Sequence, residues 1–175
     1  MREADLVEKV IAFSGLSFER FTQQDVSIYA PIMKRAFDSD TKIHTGKSEG
    51  GPPGYDNGDF LNNWYLHKDS TSFKISKDGK PCGALSLWIR DDNVNFLGNV
   101  FIEPELQNQG LGLIIWDFVE KTYPETIKWQ TETIAFSRRN HHYYVNKLGF
   151  KIVGIKNPHS DDGERIFFME KDMVD

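Results

Sequence analysis

The sequence predicts an α/β protein: one domain with a mixed, mostly antiparallel sheet and helices on both faces. Three observations carry this. Between Ser72 and Glu103, three apolar-rich runs are separated by the turns Lys77-Asp-Gly-Lys80 and Asp91-Asp-Asn93, which makes them antiparallel neighbours. From Asn95 to Ala135 the order is strand, glycine turn, helix, strand, and that order requires a parallel pair. The chain has 175 residues, of which 39% are hydrophobic and 13% aromatic, enough for one domain with a packed core and too apolar for a disordered chain.

Composition excludes several classes. A net charge of −5 disfavours nucleic-acid binding, which needs a basic face. Cys82 is the only cysteine, so no intrachain disulfide forms and a reducing compartment is expected. The N-terminus carries Glu3, Asp5 and Glu8 without a long apolar run, which argues against a signal peptide. No stretch approaches the roughly 18 apolar residues of a membrane span. A cytoplasmic protein with no membrane or nucleic-acid partner is expected.

In order, Leu6/Val7 and Val10/Ile11 fall at helical spacing, so a short N-terminal helix is expected within residues 1–15, ended by Gly15. Leu16 to Phe21 alternate as a strand. Asp25 can cap a helix to about Phe37, with Ile28, Ile32, Met33 and Phe37 near one face and Pro31 awkward inside it. Residues 38–58 crowd glycine, proline and small polar residues and read as a long flap-like loop over a binding site. Asp59 then caps a helix carrying Phe60, Leu61, Trp64, Tyr65 and Leu66. In the strand Val94–Glu103, Val94, Phe96, Val100 and Ile102 share one parity, and Gly98 on that parity marks a bulge or a close backbone approach. Leu111, Ile114, Ile115, Phe118 and Val119 define the clearest helix, closed by Pro124. Ile127–Ala135 is a strand, Ser137 caps a helix through Lys147, and Lys151–Ile155 with Arg165–Glu170 close the sheet as a hairpin.

The turn before the clearest helix reads Q-x-x-G-x-G at Gln107, Gly110 and Gly112. Glycines at a helix start let unpaired amides approach a ligand at the positive end of the dipole, which suits a pyrophosphate. A P-loop would need Gly-Lys-Ser/Thr, but Leu113 follows Gly112; a Rossmann turn would need glycine or alanine where Ile115 stands.

Two segments resemble the GNAT (Gcn5-related N-acetyltransferase) superfamily. They are Val100-Phe-Ile-Glu-Pro-Glu-Leu-Gln-Asn-Gln-Gly-Leu-Gly112 and Arg139-Asn-His-His-Tyr-Tyr-Val-Asn-Lys-Leu-Gly-Phe150, and the order of elements fits from about Leu16 to Met169. The resemblance implies a single acetyltransferase domain over residues 1–175, with a sheet that splays after the strand preceding the turn. It implies that Gln107, Asn108, Gln109, Gly110, Leu111 and Gly112 cradle the pyrophosphate of acetyl-CoA. Val100, Phe101 and Ile102 would follow the pantetheine arm, and Asn140 would face it. Tyr144 would reach the sulfur and protonate the leaving thiolate. The common family form is Tyr-x-Lys-x-Gly-Phe, whereas here Tyr144-Val-Asn-Lys-Leu-Gly-Phe150 carries one extra residue. That residue re-aims side chains by about 100°, so Tyr143 competes for the role unless a π-bulge absorbs the insertion.

Acyl transfer to a primary amine needs a base within reach, and Glu103 and Glu132 are the candidates. Tyr55 and Asp56 in the flap, and Trp88, are candidates for acceptor contact; Trp64, Tyr65 and Trp88 also read as core aromatics. His141 and His142 are adjacent and point apart, so no metal is assigned. Cys82 reads as a small buried apolar residue. The acceptor is expected to be a small-molecule or peptide amine, attacked directly in a ternary complex. A non-catalytic acyl-CoA sensor or regulatory module is the alternative. A homodimer is an expectation from the family alone.

Overall fold

The computed structural model describes residues 9–161 and 164–173. Its elements are β1 Ile11–Phe13, β2 Leu16–Arg20, α1 Val26–Thr45, β3 Thr71–Lys77, β4 Lys80–Trp88, β5 Val94–Ile102, α2 Leu111–Thr122, β6 Lys128–Ile134, α3 Arg138–His141, β7 Lys151–Lys156 and β8 Ile166–Asp172. The strands form one sheet in the order β1-β2-β3-β4-β5-β6-β8-β7. Only β5 and β6 run parallel; the other neighbours are antiparallel.

Helices cover both faces. On one, α2 and the segment after β6 enclose the larger core around Phe18, Phe73, Phe118, Trp116, Trp129 and Phe150. Phe18 stacks on Phe118 with ring centroids 3.8 Å apart. On the other face, Tyr29, Ile32, Met33 and Ala36 of α1 pack with Phe21, Tyr55, Tyr65 and Phe101.

Four expectations are corrected. The N-terminal helix is contradicted at Ile11–Phe13, which is a strand, while residues 1–8 lie outside the described residues. Ser14 and Gly15 both take positive φ, 49° and 83°, and this tight turn sets Ile11 against Phe18 in a hairpin. The loop expected over 38–58 begins later, because α1 runs through Thr45. No breaker intervenes before Gly46, whose φ of 75° closes the helix with its N–H on the Lys42 carbonyl. Pro31 lies on the solvent face of α1, so the helix reads through it. Ile28 is exposed, and Tyr29 takes the inward place expected of it.

The fourth correction concerns β5. Asn99 pairs with Ser86 but Leu97 pairs with Leu87, so Gly98 is an extra residue on β5. The bulge expected at Gly98 is there, and it resets the parity. Phe96 lies on the α1 face, whereas Val100 and Ile102 pack into the core under α2. Trp88 lies over Gly98, where a Cβ would stand 2.1 Å from Trp88 Cζ3, so the bulged position takes glycine.

Candidate active site

β5 and β6 pair from Val94/Lys128 only to Leu97/Thr131, although β5 continues to Ile102 and β6 to Ile134. The Thr131 hydroxyl donates to the Leu97 carbonyl at 2.8 Å and marks where the strands part. Beyond that point β5 has an unpaired edge. Glu103 N–H donates to the Cys82 carbonyl at 2.7 Å. By antiparallel alternation, Glu103 and Phe101 turn their backbone groups to β4, and Val100 and Ile102 turn theirs into the gap. The Ile102 carbonyl already accepts from Gln107 Nε2 at 3.0 Å. Phe101 therefore departs from the pantetheine-contacting role: its backbone faces β4 and its ring is buried on the α1 side.

At the end of β5 the chain turns through Pro104–Leu106 into α2. Gly110 takes φ 80° at the helix cap and Asn108 takes φ 61°. No described residue accepts from the amides of Asn108, Gln109, Gly110, Leu111 and Gly112, while Leu113 and Ile114 N–H bond back to the Gly110 carbonyl. Five free N–H groups at the positive end of a helix dipole fit a pyrophosphate. The Gln107 side chain serves the frame instead: its Oε1 accepts from Arg139 Nη1 at 2.5 Å, and Arg139 Nη2 donates to Asp40 at 3.1 Å. Gln109 Nε2 likewise bonds the Glu105 carbonyl at 3.1 Å.

Ser137 caps α3 by accepting from Asn140 N–H at 3.3 Å, as its position suggested. Asn140 Nδ2 donates to Thr133 on β6 at 3.2 Å, which holds that side chain beside the gap. The helix then widens into a π-turn over His142–Lys147, with Leu148 N–H on the Tyr143 carbonyl at 3.0 Å. The extra residue before Leu148-Gly-Phe150 is absorbed there. The π-turn separates the two tyrosines. Tyr144 is buried beside Thr131, at the point where the strands part. Burial pushes its hydroxyl up to about 12, against a smaller downward pull from Thr131. Tyr143 donates instead to the Gly112 carbonyl at 2.8 Å, and burial raises it further.

The two carboxylate candidates are placed differently. Glu103 lies six residues beyond Leu97, roughly 20 Å along an extended strand. Arg35 holds both its oxygens, Nε on Oε1 and Nη2 on Oε2, each at 2.7 Å. Glu132 is the first β6 residue past the last pair and is exposed. Trp129, Thr131 and Thr133 point into the α2 side, so Glu132 points to the opposite, α1 side, across the gap from Tyr144. On that side Tyr65, from a π-turn at Leu61–Tyr65, donates to Asn99 Oδ1 at 2.7 Å. Burial holds the Tyr65 hydroxyl well above its ordinary value, with a smaller contribution from Tyr144. Sequence reading took Tyr65 only as a core aromatic and did not single out Asn99; they are 34 residues apart and no local pattern joins them.

Of the acceptor-contact candidates, Tyr55 is structural. Its ring meets Phe37 at 5.8 Å and its hydroxyl donates to Asp38 at 2.7 Å, pinning the loop to α1. Asp56 is exposed in that loop. Trp88 stands on the α1 face beside Phe96 and Trp64. Cys82 is buried, and burial pushes its thiol up to about 11, unlike a nucleophile. Among the described residues no group of three or more His, Cys, Asp or Glu could hold a metal ion, and no helix is long and apolar enough to cross a membrane.

The model of the acetyltransferase (GNAT) family matches residues 34–150. Among curated proteins, "Uncharacterized protein YrkN" of Bacillus subtilis (strain 168) is 41% identical over 88 residues, covering 50% of this chain and 48% of that one. The chain thus matches about half the length of that relative. Among solved structures, the Escherichia coli ribosomal-protein-S18-alanine N-acetyltransferase superposes with a TM-score of 0.68 at 18% identity, covering 91% of this chain and 95% of that one. The PaiA N-acetyltransferase of Thermoplasma acidophilum, in complex with coenzyme A, gives 0.68 at 16% identity, covering 90% and 98%. At such identities the likeness is one of fold.

Proposed function

Because the chain belongs to the acetyltransferase (GNAT) family, we propose that it transfers the acetyl group of acetyl-CoA to a primary amine by direct attack in a ternary complex. One observation carries the reading: β5 and β6 part at Leu97/Thr131, with Tyr144 on one side of the opening and Glu132 on the other. The donor supplies an activated acyl group, so positioning provides much of the acceleration.

In this reading the free amides of Asn108–Gly112 hold the pyrophosphate, and the backbone of Val100 with the Ile102 N–H holds the pantetheine arm. Glu132 takes the proton from the incoming ammonium, directly or through water. As the C–N bond forms and the C–S bond breaks, the Tyr144 hydroxyl gives its proton to the leaving sulfur and regains one from solvent. Its raised value keeps it protonated at neutral pH. A backbone N–H on the open edge of β5 stabilises charge on the carbonyl oxygen.

The test couples binding to turnover. A thermal shift with acetyl-CoA and CoA, absent with ATP and NAD, is expected; at a hundred times the dissociation constant it amounts to roughly 2.7 kcal/mol. Thiol release in the presence of an amine panel must follow. Binding without thiol release from any amine would leave an acyl-CoA sensor. No shift with either CoA species overturns the acetyltransferase reading.

A further inference from the structure

The acceptor side of the gap has a chemistry of its own. α1 packs over β4 and β5, while Glu132 of β6 and Phe168 of β8 stay exposed on that face. Cross-strand register puts Trp88, Phe96, Gln130 and Glu170 in one row, and Glu132 and Phe168 in the next. Trp64 leans over the first row, 6.4 Å from Trp88, and Trp88 meets Phe96 edge-on at 6.3 Å. Trp64 is nevertheless 48% exposed, so a large ring stands with much of its surface unused. Phe168 is also bared, because its β7 partner is Gly154, which offers no side chain to cover it.

The carboxylates on this face are nearly all spent, and the face also carries two cations: Arg90, whose Nη1 donates to Gln130 Oε1 at 3.3 Å, and Lys151, opposite Glu170. Lys128 binds Glu170 at 2.7 Å and Asp172 at 3.5 Å, and Gln130 also donates to Glu170. Of the carboxylates that β6 and β8 present here, only Glu132 has no partner among the described residues. The face therefore offers one negative charge beside a set of aromatic rings, at the point where the strands part. Rings and a carboxylate together favour a single cation joined to a flat apolar surface. A polycation would find one counter-charge and bring its other ammonium groups up to Lys128, Arg90 and Lys151.

Resting on the acetyltransferase reading above, we propose that the acceptor is a monocationic primary amine carried on a planar apolar body. The body lies against Trp64, Trp88 and Phe96, and the amine is held at Glu132 beside Phe168.

The experiment measures thiol release from acetyl-CoA with 2-phenylethylamine, ethylamine and spermidine, on the intact chain and on Trp64→Ala and Trp64→Phe. The expected result is that 2-phenylethylamine exceeds both other amines in kcat/KM by about tenfold or more. Trp64→Ala should raise its KM about tenfold with little change in kcat or in the KM for acetyl-CoA, and Trp64→Phe should restore most of the loss. Trp64 is about half exposed, and an unliganded melting temperature close to that of the parent confirms that each variant folds. Preference for spermidine, or an unchanged KM in Trp64→Ala, overturns this inference and leaves the acetyltransferase reading standing. Thiol release from none of the three, extended to the wider amine panel, overturns the acetyltransferase reading. The ring contact is then judged by the 2-phenylethylamine thermal shift in the presence of CoA, which must be lost in Trp64→Ala for the contact to stand.

Discussion

Tyr143 and Gly112 fill one space: the Tyr143 hydroxyl donates to the Gly112 carbonyl at 2.8 Å, and a Cβ on Gly112 would stand 2.7 Å from the Tyr143 ring. The second glycine of the turn is thus required by a protein side chain as well as by any ligand. Gly112→Ala should push Tyr143 aside and, through the shared backbone, disturb the free amides at the start of α2. A stability loss of about 1–3 kcal/mol and weaker acetyl-CoA binding are expected together, read by urea unfolding and by titration. An alanine variant that keeps both would show that the ring moves freely.

The two adjacent tyrosines should separate cleanly on mutation. Tyr144→Phe removes the proposed proton donor and leaves the packing, so acetyl-CoA binding should persist while kcat falls by roughly a hundredfold, the scale of general acid catalysis. Tyr143→Phe should instead cost stability of about 1 kcal/mol through the lost bond to Gly112, with kcat changed far less. A rate lost in Tyr143→Phe and kept in Tyr144→Phe would reverse the assignment.

A pH dependence follows from burial. The folded Tyr144 hydroxyl lies near 12, above the unfolded value of about 10. A raised value means that its contribution to stability is complete below pH 10 and is lost as pH climbs toward 12. Stability should fall across that window, and the fall should be shallower in Tyr144→Phe. The same raised value predicts no loss of kcat from Tyr144 ionisation below about pH 10. Phenolate absorbance followed by stopped titration checks both, and a Tyr144 that ionises at its ordinary value would contradict them.

Local chemistry made much of this legible. The Asp78-Gly79 turn, the Gln107–Gly112 turn and the apolar spacing of α2 each depend on neighbours in sequence, and each stands where its pattern placed it. The extra residue after Tyr144 left a π-bulge as one way to absorb it, beside re-aiming the tyrosines, and His142–Lys147 forms a π-turn. What sequence did not show depends on distant partners. Arg35 binds Glu103 across 68 positions, and Tyr65 reaches Asn99 across 34. Asp38 is part of α1 because Lys34 and the loop groups of Tyr55 and Gly50 all converge on its carboxylate, which no local count of polar residues conveys.

The carboxylates should differ in kind. Glu103→Gln breaks a pair whose Arg35 side chain is half exposed, so about 0.5 kcal/mol or less of stability is expected, with turnover nearly intact. Glu132→Gln should leave stability unchanged and reduce kcat/KM for an amine by roughly a hundredfold. Raising pH should restore part of that rate by delivering more neutral amine. Equal rates in Glu132→Gln and the parent would remove Glu132 as the proton acceptor.

Gly98 sets which residues of β5 face each side of the sheet. The extra residue keeps Phe96 and Asn99 on the α1 face while turning Val100 and Ile102 toward the other core. It also seats Trp88, since the nearest ring carbon is 2.1 Å from where a Cβ would be. Gly98→Ala cannot be accommodated by a small adjustment at that distance, so either Trp88 leaves its place or the bulge shifts. The first outcome disturbs the aromatic wall, and the second carries the unpaired edge of β5 with it. A stability loss of about 2 kcal/mol or more is expected, together with a higher KM for the amine. Pairing Gly98→Ala with Trp88→Gly tells the outcomes apart. If Trp88 alone is in conflict, removing the ring restores much of the stability lost to the alanine while leaving the amine KM high. If stability is not restored, the bulge itself has moved, and acetyl-CoA binding should then weaken as well.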